Sequence, residues 1–315
     1  MRQIDLAHLE NATCTIIGGG GFLGGHLCQA LVEAKAKVRV FSRSDVSISR
    51  DRNVTAIQGT LEDTDVLRAA VKNSEFVFHL LGGVSPVSAD PNLRLEIDQS
   101  VSASVRLFEL CCEFNVRRII FVSSGGTVYG IPASIPISED NPTFPISPYG
   151  INKLSIEKYL HYFWMSAGLE YSIMRVANPF GPFQIPGRGQ GVIATMLRNA
   201  IDGKALEIWG DGEAIRDYIY APDAAQALAL AAVYQGPERI FNVGSGVGRS
   251  VNSIATDILR LTEREDLPVV YRNARPTDVP VNVLDISRIR REFNWMPQIS
   301  WDQALHQTAS WVSGG

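Results

Sequence analysis

Short apolar runs alternate with amphipathic segments through the first half of the 315-residue chain. Residues 14–17 form one such run, rich in β-branched side chains, as expected of a strand buried on both faces. A glycine cluster follows, and from residue 23 to residue 36 the apolar side chains recur at helical spacing. The pattern predicts a strand, a glycine turn and a helix in succession.

The same alternation continues along the chain. Further strands are predicted at residues 38–41, 54–57, 76–81, 118–123 and 171–176, and long helices at 93–114 and 148–167. Strands that alternate with helices build a parallel sheet, with right-handed crossovers that place helices on both faces. We therefore predict an α/β fold with a doubly wound parallel sheet.

The pattern changes after residue 177. Glycine and proline crowd residues 178–191, and the elements that follow are shorter and mixed. We predict a first domain over residues 1–177 and a smaller mixed lobe over residues 178–315, with no flexible linker between them. This division leaves room for some later segments to return to the first domain.

Composition narrows the class of protein. Apolar residues make up 45% and charged residues 20% of the chain, which excludes disordered, collagenous and coiled-coil proteins. The 29 Lys and Arg against 33 Asp and Glu leave a net charge of −4, so no basic surplus points to nucleic acid or an anionic membrane. The apolar stretches are too short to cross a bilayer, and the first 13 residues lack the apolar core of a secretory signal.

The cysteines and histidines do not predict a metal site. Cys14, Cys28, Cys111 and Cys112 lack metal-ligand spacing, and the five histidines are scattered. Such cysteine usage is typical of a reduced, cytoplasmic enzyme.

The glycine cluster carries the first candidate chemistry. Residues 18–24 contain the spacing GxGxxG at Gly19, Gly21 and Gly24, between the first predicted strand and the first predicted helix. Without side chains the backbone can approach a pyrophosphate, whose charge then lies at the helix N-terminus. In this position the motif predicts dinucleotide binding on a Rossmann-type fold, whereas alone it would indicate only a tight turn.

The residues at the end of the second predicted strand do not decide between NAD and NADP. A carboxylate there would bind the ribose 2′-hydroxyl of NAD, but the chain has Ser42 and Arg43 at this point. A hydroxyl beside an arginine suits the 2′-phosphate of NADP, and a solvated loop arginine is the alternative.

Tyr149 and Lys153 form the second candidate. Ser147 and Pro148 are typical of a helix N-cap and first helical position, which places Tyr149 and Lys153 one turn apart on one face. An ammonium beside a phenol favours the phenolate, so we expect Lys153 to lower the pKa of Tyr149. Such a tyrosine can take a proton from a sugar hydroxyl. An ordinary surface pair of residues is the alternative.

Four motifs occur in order: Gly18 to Gly24, Ser123 to Gly130, Tyr149 with Lys153, and Arg175 to Gly181. Together they resemble the extended short-chain dehydrogenases/reductases, and among them the NAD-dependent epimerase/dehydratase family typified by UDP-glucose 4-epimerase. The resemblance runs from about residue 13 to residue 301. Segments 206–212, 215–219 and 274–280 resemble the part of that family that holds the nucleotide sugar.

The resemblance implies roles for individual residues. Tyr149 would be the catalytic base, and Lys153 its partner and a ribose ligand. The residues implied along the cofactor are Gly18, Gly21, Phe22, Leu23, Gly24, Ser42, Arg43, Thr60, Leu61, Leu80, Leu81 and Gly82. Those implied along the substrate are Asn178, Arg216 and Arg275 at the diphosphate and Asp278 near its ribose. Trp209 can stack on the base, and a core tryptophan is the alternative. Two arginines and an amide suit a diphosphate chemically.

The chain departs from the family pattern at three positions. Thr60 and Ser100 stand where the family often has an acid and an asparagine. Gly125 occupies the place of the catalytic serine or threonine, and the nearest hydroxyls belong to Ser124 and Thr127. Because Gly125 and the glycine after it free the backbone, we expect Thr127, ahead of Ser124, to supply the missing hydroxyl.

The resemblance implies a nucleotide-sugar 4-epimerase, with a UDP-hexose as the favoured substrate class. It would work through a transient 4-keto sugar and a tightly bound nicotinamide, with NAD as the first choice and NADP as the alternative. A 4,6-dehydratase would carry an Asp-Glu pair where this chain has Gly126 and Thr127. A 4-keto-sugar reductase and a non-catalytic dinucleotide sensor on the same fold are two further hypotheses. The resemblance also implies a homodimer through the helices at residues 93–114 and 148–167.

Overall fold

The computed structural model describes residues 5–43, 51–81, 92–187, 191–273 and 279–314. Seven parallel strands form the central sheet: β1 (Thr13–Ile17), β2 (Lys37–Ser42), β3 (Val54–Gln58), β4 (Phe76–His79), β5 (Arg118–Ser124), β6 (Tyr171–Val176) and β10 (Ile240–Val243). Their order is β3-β2-β1-β4-β5-β6-β10. The predicted α/β class with a doubly wound parallel sheet is confirmed.

The strand order reverses beside β1. The chain runs outward from β1 through β2 to β3, then crosses back to β4 on the other side of β1. Ile17 consequently lies between Phe41 and His79, each at or near the carboxyl end of its strand. Ligands of open α/β sheets bind in the crevice at such a reversal.

Helices cover both faces of the sheet, and two hydrophobic cores form beneath them. One core includes residues of α1 (Phe22–Glu33) and α7 (Ala221–Val233). The other includes residues of α2 (Thr64–Val71), α4 (Ala103–Glu113) and α5 (Pro148–Ala167).

Three predicted elements differ from the structure by more than one residue at an end or in their regularity, while several strands differ by one residue at an end. The strand predicted at residues 76–81 ends at His79, and the helix predicted at residues 23–36 runs from Phe22 to Glu33. The helix predicted at residues 93–114 is α3 (Leu93–Ile97), then a π-helical turn (Asp98–Ser102), then α4. Ser100 and Ser104 bond to main-chain carbonyls within this segment, which accompanies the local widening of the helix.

The second half of the chain builds a smaller mixed sheet. Strands β7 (Asn178–Phe180) and β13 (Val281–Asn282) pair in parallel with β9 (Ile215–Tyr220), and β11 (Gly248–Ser250) pairs with it in the antiparallel sense. The remaining elements are a parallel pair, β8 (Leu206–Trp209) and β12 (Val269–Arg272), and the helices α6 (Val192–Ile201), α8 (Val251–Leu261), α9 (Ser287–Phe293) and α10 (Trp301–Gly314).

Two segments from the second half lie within the first. Strand β10 pairs with β6 at the edge of the seven-stranded sheet, and α7 packs against α1. A cut of the chain at residue 177 would therefore remove an edge strand from the main sheet. No helix of the described ranges is long and apolar enough to span a bilayer.

Candidate active site

The glycine loop after β1 packs tightly against its surroundings. Gly18 has a φ of +86°, which favours glycine, and its N–H donates to the carbonyl of Phe41 at 2.9 Å. A Cβ on Gly24 would come within 2.6 Å of the backbone of Gly19, so only glycine lets α1 start directly on the loop. The loop conformation therefore depends on these glycines.

The start of α1 offers a donor set that fits a pyrophosphate. The N-cap is Gly21, and no side chain caps the helix. The first N–H groups of a helix have no partner within it, and four residues lie between the carboxyl end of β1 and the start of α1. Uncapped amides and the positive end of the helix dipole suit the phosphates of a dinucleotide.

The other predicted cofactor residues lie along the same edge of the sheet. Leu80 donates its N–H to the carbonyl of Ile17 at 3.0 Å, and the side chain of Leu81 lies over Gly18. Ser42 is buried at the end of β2, and Arg43 next to it is exposed.

Thr60 and Leu61 follow β3. The N–H and the hydroxyl of Thr60 donate to the Asp63 carboxylate at 2.8 and 3.1 Å, so this hydroxyl has a partner within the protein. Leu61 is buried. Gly82 lies outside the described residues, and the contacts of all these residues with a cofactor stay predictions.

Helix α5 begins where the sequence predicts. The Ser147 hydroxyl accepts from the Gly150 N–H at 3.2 Å, and Pro148 occupies the first turn. Tyr149 is half-buried and Lys153 is buried, with the Lys153 Nζ 5.6 Å from the Tyr149 ring centre. The two side chains are thus neighbours, as their spacing predicts.

The electrostatics of the pair differ from the prediction. The Lys153 Nζ donates to the carbonyl oxygen of Val122 at 2.7 Å and to that of Leu81 at 3.5 Å. Burial raises the pKa of Tyr149 to about 12 and lowers the pKa of Lys153 to about 7, while the Glu157 carboxylate raises the latter. The expected lowering of the Tyr149 pKa is therefore wrong, because main-chain carbonyls hold the ammonium and burial dominates both groups.

Gly125 has no room for a side chain. A Cβ there would lie 2.6 Å from the Leu284 Cδ1 and 3.0 Å from the Arg175 carbonyl oxygen. The Asn282 side-chain amide also donates to the Gly125 carbonyl at 3.1 Å. Residues from the far end of the chain therefore fill the space that a serine or threonine would need.

The two neighbouring hydroxyls differ in their surroundings. The Thr127 Oγ1 is buried and has no hydrogen-bond partner in the described part of the chain. Its Cβ lies against the start of α5, 3.2 Å from where a Cβ on Gly150 would be. Ser124 is half-buried at the end of β5, and its Oγ and the Asn178 side-chain amide both lie about 4 Å from where a Cβ on Gly126 would be.

The structure describes three of the predicted substrate residues. The Asn178 amide donates to the Asp217 carbonyl at 2.9 Å, and β7 thereby lies beside β9, which carries Arg216. The Arg216 Nη1 donates to the Ile215 carbonyl at 2.9 Å, and Trp209 is 50% exposed at the end of β8. The structure brings Asn178 and Arg216 onto neighbouring strands. Arg275 and Asp278 lie outside the described residues.

Sequence reasoning missed the role of Asp217. This buried carboxylate accepts from the N–H groups of Ser245 at 2.8 Å, Gly246 at 3.0 Å and Leu284 at 3.4 Å, and burial raises its pKa. It therefore holds three segments of the chain beside the site. An acid inside the apolar segment 215–220 is the signal that could have found it.

Sequence reasoning also missed a buried ion pair behind α5. Glu157 follows Lys153 by four residues on the same helix face, and its carboxylate is 2.7 Å from the Arg175 guanidinium. The continued spacing Tyr-xxx-Lys-xxx-Glu is the signal for it.

Comparison with known proteins fits this architecture. The model of the NAD dependent epimerase/dehydratase family matches residues 14–244. The chain belongs to this family. Membership makes it an enzyme and NAD its cofactor, in agreement with the glycine loop and the uncapped start of α1.

Individual relatives cover almost the whole chain. A UDP-glucose 4-epimerase from Mycolicibacterium smegmatis is 31% identical over 93% of this chain and 96% of its own. A dTDP-4-dehydro-6-deoxyglucose reductase from Escherichia coli is 29% identical over 92% of this chain and 94% of its own. The structure of UDP-glucose 4-epimerase with UDP-glucose from Thermotoga maritima superimposes with a TM-score of 0.89 at 31% identity, covering 96% of this chain and 99% of that one.

The buried Lys153 predicts how stability depends on pH. Its pKa is about 7 in the folded protein, against 10.5 for an unperturbed lysine, so the unfolded chain binds more protons between these values. The free energy of unfolding is therefore not reduced by Lys153 above pH 10.5. It decreases as the pH falls from 10.5 toward 7, by up to about 1.4 kcal/mol per pH unit. Lys153→Met should remove this dependence between about pH 7.5 and 9.5.

Urea unfolding of the nucleotide-free enzyme at several pH values measures it. Lys158→Met is the matched control, because Lys158 is exposed on the same helix. The control should keep the wild-type slope. A Lys153→Met slope equal to that of wild type would contradict the prediction.

Proposed function

We propose that the enzyme is a UDP-sugar 4-epimerase that works through a transient 4-keto sugar. The observation that carries the proposal is the position of Tyr149 and Lys153. The Lys153 Nζ bonds to the carbonyls of β5 and of the segment after β4, directly beside the glycine loop. A base at this edge would meet the reacting carbon of a sugar held next to the cofactor.

The chain supplies the proton chemistry and the orientation of the substrate. Bound NAD supplies a reversible hydride acceptor. Tyr149 takes the proton from the sugar 4-hydroxyl and returns it at the end of the turnover. The Lys153 ammonium stabilises the phenolate that this transfer forms and binds the cofactor ribose. Asn178 and Arg216, with Arg275, hold the diphosphate, Asp278 meets its ribose, and Trp209 packs on the base.

We assign the second hydroxyl of the site to Ser124, in place of the Thr127 favoured by the sequence. Leu284 fills the space beside Gly125, and the Thr127 Oγ1 is buried, with the Cβ of the same residue against the start of α5. The half-buried Ser124 lies at the strand end, near the Asn178 amide. A hydroxyl there can bridge the sugar 4-hydroxyl and Tyr149.

Two other reactions serve as the competing outcomes of the test. A 4,6-dehydratase needs an acid and a base where this chain has Gly126 and Thr127, which speaks against elimination. A 4-keto-sugar reductase is favoured by the similarity to the Escherichia coli enzyme, and it would consume reduced cofactor in proportion to product.

Turnover without added cofactor should identify the reaction. The purified enzyme, incubated with UDP-, GDP- and dTDP-sugars, should convert a UDP-sugar to its 4-epimer by NMR with no accumulation of NADH. Tyr149→Phe should lower turnover by roughly 10²–10⁴-fold, because it deletes the base while the helix remains. A 4-keto-6-deoxy product, or turnover that needs one reduced cofactor per product, would replace this proposal by one of its competitors.

Two variants separate the hydroxyls. Ser124→Ala should lower turnover tenfold or more, which corresponds to about 1.4 kcal/mol in the barrier. Thr127→Val keeps the shape of the side chain and should change turnover less than threefold. Melting temperatures control for folding. The reverse ranking would return the role to Thr127, and two active variants would show that neither hydroxyl is needed.

The proposed enzyme is a homodimer of the cytoplasm. Apolar side chains are exposed along one stripe of α5 (Ile151, Tyr159, Tyr162 and Met165) and on α3 (Leu93, Leu95 and Ile97). Such a stripe is typical of an interface. The four free cysteines, three of them buried, fit a reducing compartment.

Light scattering should give twice the chain mass of 34.5 kDa. Tyr162→Glu with Met165→Glu should shift the protein to monomers, because two charges would then face each other across the interface. The same double substitution to Gln should weaken the dimer less. Wild-type protein that elutes as a monomer at micromolar concentration would contradict the dimer.

A further inference from the structure

Glu157 shares the buried face of α5 with Tyr149 and Lys153. The three residues are spaced by four, so they follow one another along one side of the helix. Glu157 is 3% exposed, and its side chain forms hydrogen bonds to Ser123 and Arg175, which lie outside α5. A carboxylate in this position needs partners, since burial of an unpaired charge is strongly unfavourable.

Arg175 is the main partner of that carboxylate. Its Nε and Nη2 donate to the two Glu157 oxygens at 3.1 and 2.7 Å, and the Ser123 hydroxyl donates to one of them at 2.5 Å. The desolvation of such a pair often exceeds the attraction between its charges, so a buried pair is weak evidence for a role in stability. We therefore looked for a role of the Glu157–Arg175 pair other than stability.

Arg175 also bonds to Tyr129, at the end of segment 123–129, which carries Ser124 and Thr127. The Arg175 Nη1 donates to the Tyr129 hydroxyl at 3.0 Å, and that hydroxyl donates to the Asn242 side chain at 2.7 Å. Ser123 and Tyr129 stand on either side of Ser124 and Thr127. The pair therefore ties α5 to both ends of segment 123–129.

Glu157 is also linked to Lys153 through β5. Ser123, which donates to Glu157, directly follows Val122, whose carbonyl accepts from the Lys153 Nζ at 2.7 Å. The negative charge of Glu157 opposes the effect of burial on the pKa of Lys153. The titratable groups around them are Tyr149 of α5, His79 of β4, Arg175 and Tyr171 of β6, and Tyr129.

We propose that Glu157, held by Arg175 and Ser123, is a positioning residue that ties α5 to segment 123–129 and favours the ammonium form of Lys153. It acts through Lys153 and does not touch the substrate. The inference rests on the proposed function, in which Lys153 assists Tyr149.

Glu157→Gln tests the charge while it keeps the shape of the side chain. The chain has only six lysines, so ¹³C-labelled lysine gives few NMR signals, and Lys153→Met assigns the one of interest. In the NAD-saturated enzyme, the Lys153 titration should move to lower pH by on the order of one unit in Glu157→Gln. The acid limb of the pH profile of UDP-sugar turnover should move in the same direction.

Glu207→Gln is the matched control. Glu207 also pairs with an arginine at 2.7 Å, but both partners are about half exposed, and they lie on β8 and β12. The control should leave the Lys153 titration and the pH profile unchanged. If Glu157→Gln does not fold, Glu157→Gln with Arg175→Met removes both charges together and leaves no unpaired ion in the interior. Its Lys153 titration should move to lower pH by less than one unit, because Glu157 is the charge that acts on Lys153 and the loss of the Arg175 charge works in the opposite direction.

The outcomes separate this inference from the proposed function. A folded Glu157→Gln, or the double variant in its place, with an unchanged Lys153 titration and an unchanged pH profile would show that the pair is only structural. A wild-type enzyme that epimerises no UDP-sugar would overturn the proposed function, while the NMR titration would still decide what Glu157 does to Lys153.

Discussion

Parallel pairing of β1 with β2 and β4 is the constraint on which the candidate site depends. Parallel strands end at the same edge of a sheet, so the glycine loop, Ser42 and Leu80 meet there although 62 residues separate the first from the last. The next strand, β5, adds the carbonyl that holds Lys153 and the hydroxyl of Ser124. Without this register the glycine loop and Lys153 would not lie beside a common crevice.

Burial sets the chemistry of that crevice more strongly than the spacing of Tyr149 and Lys153. A free ammonium beside a phenol would lower the pKa of the phenol, but here the ammonium bonds to two carbonyls, and burial lowers its own pKa. A buried carboxylate four residues further along α5 opposes that loss. Of the three side chains on this face of α5, Glu157 therefore acts on the pKa of Lys153, whereas burial alone sets the pKa of Tyr149.

The sequence predicted the elements that rest on local rules and missed the contacts that close over long distances. The cap and proline at Ser147 and Pro148 predicted the start of α5, and apolar runs predicted six of the seven strands of the central sheet but not β10. The π-helical turn at residues 98–102 has no such local signal, and it interrupted a helix predicted as continuous. The predicted pKa of Tyr149 was wrong for the same reason, because burial is a property of the packed protein. The contacts of the predicted cofactor and substrate residues with their ligands stay predictions.

Residues from the second half of the chain determine which side chain fits at position 125. The Asp217 carboxylate accepts a hydrogen bond from the Leu284 N–H. The Leu284 side chain in turn lies where a side chain at position 125 would be. A serine at this position would require the Leu284 side chain to move and would press against the Arg175 carbonyl. The close packing of Leu284 therefore explains why glycine occupies position 125. Any hydroxyl that assists Tyr149 must come from a neighbouring position, and the accessible side of β5 offers Ser124.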